Sequence, residues 1–217
     1  MHDLRRNYTF GGLIRSDLPA EPMLLFHQWF SMIQSASLPD WFEINAMTLS
    51  TAKRSLGSSS RIVLLKGTDE DGFLFFSNYE SAKGQEIAAD PQVALHFFWP
   101  IFDRQVRIEG IAEKTSAEVS DLYFASRPRS SQLGAVASPQ SKLLEDETQL
   151  ELAIQTLERK YEGLPVPRPE NWGGYKVVPA MFEFWQGKPS RLHDRFRYDR
   201  TDDKNKNAAW QIHRLAP

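Results

Sequence analysis

Five short runs rich in β-branched and aromatic residues follow one another in the middle of this chain: AMTLST from Ala46, RIVLLK from Arg61, GFLFFSN from Gly72, VALHFFW from Val93 and QVRIEGIAE from Gln105. Turn signals such as Asp71-Gly72 separate them, so they read as strands joined by tight connections. In QVRIEG, polar Gln105, Arg107 and Glu109 alternate with Val106 and Ile108, which turns one face to a core and the other to solvent. Strands at this spacing point to an antiparallel barrel or sandwich.

Helices interrupt that pattern. Proline at Glu21-Pro22 suits a first helical turn, and Leu25, Phe26, Trp29, Phe30 and Ile33 then follow the spacing of a buried stripe. Thr115 with Glu118 forms a capping-box pattern opening a helix that ends near Pro128. A longer helix fits Glu145 to Tyr161, with Leu150, Ile154, Leu157 and Tyr161 on one face and Gly163 as its stop. Two late strands are expected around YKVVPAMFEFW and AAWQIHRLAP, with RTDDKNKN as a polar hairpin loop. The whole of residues 1–217 reads as one α+β domain, mainly antiparallel β, in which residues 1–18 form a mobile amino-terminal arm.

Composition removes several kinds of chemistry. The chain has no cysteine, which excludes disulfides, thiolate metal ligands and a cysteine nucleophile. A formal net charge of -2 gives no global positive field for nucleic acid. No apolar run approaches the roughly 18 residues of a membrane span, and MHDLRRNYTFGGL lacks an apolar signal core, so a cytoplasmic protein is expected. Anion binding then has to come from local clusters.

Four such clusters stand out, each with a plainer structural reading beside it. WQGKPSRLHDRF places Arg191, His193, Asp194 and Arg195 within five positions; such groups repel unless an anion lies between them, or they form a solvated loop. SNYESAKGQE puts Ser77, Ser81 and Lys83 where a strand gives way to a helix start, which is what a phosphate needs and also an ordinary place for serines. In YFASRPRSSQLGA, Tyr123 and Arg127 lie four apart on a helix, with Ser130 and Ser131 past the break; the alternative is a helix terminus whose arginines offset the dipole. In RIVLLK a period of two sends Arg61 and Lys66 to opposite faces, and the plain alternative is a buried strand with wet ends.

Taken together, RIVLLKG, FFSNYESAKG, RQVRIEG, YFASRPRSSQLGA, SPQS, WGGY, EFWQG and RLHDR, in this order, resemble the pyridoxine/pyridoxamine 5'-phosphate oxidase family. The resemblance runs from the LRRNY arm to the terminal RLAP. It implies an FMN-binding split barrel of Greek-key type with flanking helices, working as a homodimer with the flavin at the interface. The implied activity is oxidation of pyridoxine 5'-phosphate or pyridoxamine 5'-phosphate to pyridoxal 5'-phosphate, with O2 as acceptor and H2O2 as product. The resemblance implies flavin contacts at Arg61, Ile62, Val63, Leu64, Leu65, Lys66, Phe76, Ser77, Lys83, Gln105, Gln140, Ser141, Trp185 and Arg195. Substrate phosphate would meet Lys66, Tyr123, Arg127 and Ser131. Arg191 and His193 would flank the reacting ring as the catalytic pair, and Arg5 and Tyr8 of the arm would close over it. No metal is implied.

Hydride transfer to a flavin needs no protein nucleophile, so positioning and electrostatics are the protein's part. On that reading Asp194 orients an arginine and is not a base. Three positions depart from the family pattern. Ala82 stands where members carry an arginine for the flavin phosphate, Val136 where some carry tryptophan, and Pro139 precedes Gln140-Ser141. Two rival readings remain: a non-catalytic split-barrel protein that binds flavin or pyridoxal phosphate, and a flavin reductase that requires a nicotinamide.

Overall fold

A computed structural model describes residues 7–9, 11–53, 57–69, 72–146, 148–202 and 209–217. Its strands are β1 (Ala46–Lys53), β2 (Gly57–Leu64), β3 (Gly67–Asp69), β4 (Gly72–Asn78), β5 (Gln92–Trp99), β6 (Arg104–Lys114), β7 (Trp172–Gln186), β8 (Asp194–Arg200) and β9 (Trp210–Leu215). The helices are α1 (Pro22–Gln34), α2 (Ala82–Ala89), α3 (Ala117–Ser126), α4 (Arg129–Ala137) and α5 (Thr148–Lys160). Every pairing is antiparallel, in the order β2-β1-β5-β6-β7-β4-β3, with β8 on β7 and β9 on β8. Only Leu65 and Lys66 lie between β2 and β3, so the two ends of that order meet and the sheet closes on itself. The molecule is α+β and mainly antiparallel, as expected.

β7 is the longest strand, and it bends. Its pairing with β6 shifts register between Glu109 and Gly110, opposite Pro179. Proline has no N–H to give the ladder, and a Cβ at position 110 would run into the Val178 carbonyl, so a bulge with glycine across from it accommodates both. The bend divides one edge of β7 between two partners: residues 172–177 pair with β4 and residues 181–186 with β8.

The core fills the barrel from one end. α1 inserts Leu25, Phe26, Trp29 and Ile33, all buried, and Phe26 meets the rings of Phe73, Phe97 and Trp99 at 4.9, 5.1 and 6.1 Å. A second cluster, Phe124, Leu133, Val166 and Trp172, joins α3 and α4 to the start of β7.

Several boundaries differ from the sequence reading, each for a physical reason. β2 starts at Gly57 and stops before Leu65, because its ladder with β1 recruits Ser58, Ser59 and Ser60, residues of weak strand preference. The cap of α3 is Ser116, whose hydroxyl accepts the Val119 N–H, in place of the expected Thr115. Pro128 ends α3 but is itself the N-cap of α4, a helix the reading missed because prolines signal both stops and starts. α5 begins at Thr148 where Glu145 was expected, and its apolar stripe is only half-buried, with Leu157 and Tyr161 on the second cluster. β3 and β8 were not expected as strands. The DRFRYDR run of β8 is masked by its charges, yet it forms a strand between β7 and β9. Asp71 of the expected turn, and most of the RTDDKNKN loop, lie outside the described residues.

α2 is tied to the barrel by a partly buried ion pair. Glu86 Oε2 accepts from Thr51 Oγ1 at 2.6 Å and from Arg61 Nη2 at 2.8 Å. Arg61 also donates to the Leu49 carbonyl, Thr51 Oγ1 and Ser59 Oγ. Burial by itself raises the Glu86 pKa, but the Thr51 and Arg61 hydrogen bonds and the charges of Arg61 and Lys53 outweigh it, holding the carboxyl below its usual range. A depressed folded-state pKa contributes stability that is present above the ordinary glutamate value and lost as pH falls through the folded one. Glu86→Gln is therefore expected to cost about 1.5–3 kcal/mol at neutral pH in urea unfolding. The difference from wild type should shrink as pH drops below the ordinary glutamate range.

Candidate active site

A cleft of about 410 Å³ opens where β2, β4, α3, α4 and the Gln140 loop converge. β2 contributes Ile62, Val63 and Leu64, and the chain continues to Lys66, whose N–H bonds the Leu74 carbonyl. β4 contributes Phe76 and Ser77, and Lys83 enters from the first turn of α2, capped by the Ser81 hydroxyl on Gly84 N–H at 3.3 Å. Lys83 Nζ reaches Ser77 Oγ at 3.1 Å, Ser81 Oγ at 3.3 Å and Gln140 Oε1 at 3.4 Å. Burial, then the charge of Arg61, lowers the Lys83 pKa, against a raising effect of Glu86.

On the opposite wall stand Tyr123, Arg127 and Ser131. Phe76 and Tyr123 stack with centroids 3.8 Å apart, and Trp172 lies parallel beside both, at 5.7 Å from Phe76 and 6.2 Å from Tyr123. The Arg127 guanidinium covers the Trp172 ring at 4.7 Å, and its Nη1 is buried without a hydrogen-bond partner. Desolvation lowers the Arg127 pKa, with Tyr123 opposing. Among the described residues the lining holds Lys66, Lys83 and Arg127 and no carboxylate. A buried donor without a partner beside cations is costly until an anion accepts from it. The chemistry of this cleft favours an anion.

A second group gathers at the other end of β7. Gln105, Trp185 and Arg195 are in register across β6, β7 and β8 and line a hollow of about 250 Å³ with His96 and Glu183. Arg195 is held by Glu183 Oε1, at 2.7 Å from both Nε and Nη2, and Glu183 Oε2 lies 3.0 Å from Arg107. The His193 ring sits 4.5 Å from Trp185, with Tyr8 edge-on to both. Lys188 N–H donates to His193 Nδ1 at 3.1 Å. A backbone N–H only donates, so Nδ1 is unprotonated and the neutral ring carries its proton on Nε2. Burial, then the Arg191 charge, lowers the His193 pKa and favours that neutral form. Arg191 is exposed at φ 62, after Ser190 at φ 58, a left-handed pair that costs non-glycine residues about 1–2 kcal/mol each.

The structure thus brings most of the expected residues into two groups, with exceptions. Leu65 points into the core instead of the cleft, because β2 ends at Leu64. The Arg61 guanidinium is spent on Glu86 and its neighbours and is not part of the cleft lining. Ser141 is exposed at φ 72 beside Gln140. Ser130 is exposed, while Ser131, one residue on, faces the cleft. Arg5 lies outside the described residues; Asp194 pairs with an arginine as expected, and that arginine is Arg214. Arg129 binds the Tyr161 and Leu164 carbonyls, so one arginine of SRPRSS does offset a helix end. Trp172 was missed. Its signal was Gly173-Gly174, where a Cβ would strike Tyr79, Ser120, Thr115 or Phe76, so that the chain comes close enough for Trp172 to stack.

Residues 38–161 match the family described as pyridoxamine 5'-phosphate oxidase, and residues 172–217 match the pyridoxine 5'-phosphate oxidase C-terminal dimerisation region. A pyridoxine/pyridoxamine 5'-phosphate oxidase of Rhodopirellula baltica is 50% identical over 100% of this chain and 96% of its own. Its counterpart in Paraburkholderia phytofirmans is 51% identical over 99% and 98%. Among solved structures, PhzG from Burkholderia lata, in complex with tetrahydrophenazine-1-carboxylic acid, superposes with a TM-score of 0.86 at 28% identity, covering 96% of this chain and 99% of that one. A pyridoxamine 5'-phosphate oxidase-related, FMN binding protein of Nostoc punctiforme shares the split-barrel fold, with a TM-score of 0.66 at 14% identity over 92% and 98%. This chain belongs to the pyridoxamine 5'-phosphate oxidase family of flavin oxidoreductases.

Proposed function

We propose that this protein is an FMN-dependent oxidase that converts pyridoxine or pyridoxamine 5'-phosphate to pyridoxal 5'-phosphate. The observation that carries the reading is the cleft lined by Lys66, Lys83 and Arg127 without a carboxylate, with Arg127 Nη1 buried and unpartnered. On this reading Lys66, Tyr123, Arg127 and Ser131 receive the substrate phosphate, and Ser77, Lys83 and Gln140 the flavin side of the same cleft. A flavin carrier without turnover would need the flavin part alone. The PhzG likeness supports a second reading, an aromatic carboxylate as substrate, which would leave the phosphate wall without a purpose.

FMN, when bound, supplies the two-electron acceptor that O2 reoxidises with release of H2O2. The chain's own residues bind and orient. His193 presents Nε2–H as a donor, suited to hold a ring hydroxyl or its anion, and its engaged Nδ1 leaves it no role as a base. Arg191 would place its charge on the same ring. Gln105, Trp185 and Arg195 complete the flavin environment.

Two chains are required for this. Trp172 and Trp185 lie at opposite ends of β7, roughly 40 Å apart along an extended strand before its bend is allowed for. One chain cannot wrap both groups around one flavin, so we infer a homodimer in which the β4 end of one copy faces the β8 end of the other. The match of residues 172–217 to a dimerisation region supports this.

The deciding experiment adds pyridoxamine 5'-phosphate in air to the purified yellow protein and follows peroxide and the aldehyde product. Turnover only with a nicotinamide, or none at all, sinks the reading. Arg127→Ala is expected to raise the substrate Kd tenfold to a hundredfold, about 1.5–3 kcal/mol, and to leave FMN affinity nearly unchanged. Equal losses in titrations of both ligands would refute the division of the cleft.

Ala82 sits exposed at the first position of α2, beside Lys83. Ala82→Arg adds a cation there, and its exposure limits the expected gain in FMN affinity to about 1 kcal/mol, some fivefold. Fluorescence quenching of FMN at low and high salt reads the effect, which should fade as salt screens the pair. An unchanged affinity at low salt means that position 82 does not face the flavin phosphate.

A further inference from the structure

Two buried carboxylates face the amino-terminal arm. Asp103 is 2% exposed and Asp194 1%. Asp103 Oδ2 accepts the Thr9 N–H at 3.2 Å, and Asp194 Oδ2 accepts the Leu13 N–H at 3.0 Å. Asp194 is also paired with Lys188 at 3.3 Å and Arg214 at 3.0 Å, so its burial is offset by two cations. Asp103 has a left-handed backbone at φ 53, which aspartate tolerates, and its carbonyl receives the Gly187 N–H at 2.7 Å.

The arm fits this pair closely. A Cβ at Gly187 would lie 2.7 Å from Tyr8 Cδ1, so only glycine at the end of EFWQG leaves room for the Tyr8 ring. A Cβ at Gly12 would lie 3.0 Å from Asp194 Oδ2, so glycine there lets the arm backbone approach the carboxylate. The two anchors flank the second residue group: Asp103 precedes Gln105 by two positions, and Asp194 directly follows His193. Between them Tyr8 rests against Trp185 and His193.

We propose that Asp103 and Asp194 are positioning residues: acting through the Thr9 and Leu13 amides, they hold the arm down so that Tyr8 closes on Trp185 and His193. Neither carboxylate touches substrate on this proposal; each contributes a charge-assisted bond to a backbone N–H, the strong kind. Its kinetic consequence rests on the proposed oxidase reading, because a closed Tyr8 matters to substrate only if His193 meets substrate. The anchoring itself does not.

Amide hydrogen exchange on the FMN-loaded protein tests the anchors, and steady-state kinetics with pyridoxamine 5'-phosphate tests their use. Asp194→Ala removes one anchor. Asp103→Gly removes the other while keeping the left-handed backbone unstrained, and Asp103→Asn restores an acceptor oxygen at the same site. In Asp194→Ala and Asp103→Gly the arm amides should exchange about tenfold faster, and KM should rise about tenfold with kcat changed less than roughly threefold. Asp103→Asn should return both towards wild type. If Asp194→Ala fails to fold, the Asp103 pair carries the test. Arm amides that exchange as slowly in Asp103→Gly as in wild type overturn the proposal, and so does faster exchange with an unchanged KM. A wild-type protein with a protected arm that oxidises neither substrate overturns the proposed function instead, and the exchange rates then decide the anchors alone.

Discussion

The bulge where β7 passes Pro179 sets the geometry of everything else. Before it, β7 pairs with β4 and begins at Trp172; beyond it, β7 pairs with β8 and ends at Trp185 and Gln186. A straight strand of this length would present one edge to one partner. The bend lets two different strands share that edge, so the barrel wall and the C-terminal hairpin are built on a single segment. Each candidate residue group then belongs to one end of the same strand.

Two populations of cations follow different rules. Arg61 with Glu86, and Arg195 and Arg107 with Glu183, are partly buried and matched to carboxylates. These pairs fix strand and helix positions, and removing one partner would leave an uncompensated charge. Lys66, Lys83 and Arg127 converge where the lining supplies no carboxylate. The desolvation that lowers the pKa values of Lys83 and Arg127 is relieved by an incoming anion. The difference between the two populations is what makes the cleft a candidate anion site rather than a stabilising network.

Legibility followed the locality of the signal. β4 matched its run GFLFFSN at both ends, because aromatic residues fill it and its pattern needs no partner to declare itself. The α1 stripe was legible for the same reason. β8 was not, since its charges are matched only in the folded sheet: Arg195 by Glu183 on β7, Asp194 by Arg214 on β9, and Arg197 by Asp199 along β8 itself. The grouping of Tyr123, Arg127 and Ser131 was legible as residue types, but its sharing of a cleft with Trp172, some 45 residues downstream of Arg127, was not. Asp103 gave no signal in the sequence, because its partner is an amide of the arm, 94 positions away.

By itself the sequence determined an antiparallel α+β chain without thiol chemistry, the amphipathic faces of its main elements, and the motif order that names the family. Those properties depend on side-chain periodicity, composition and short spacings, all of which are local. The tertiary structure decided which cations were paired and which were left facing a cavity, that Leu65 turned to the core and Ser131 to the cleft, and that two aspartates caught the arm. Those outcomes depend on where strands end and bend, and a strand's register is set by partners distant in the chain, so that a single residue of shift reverses every side chain.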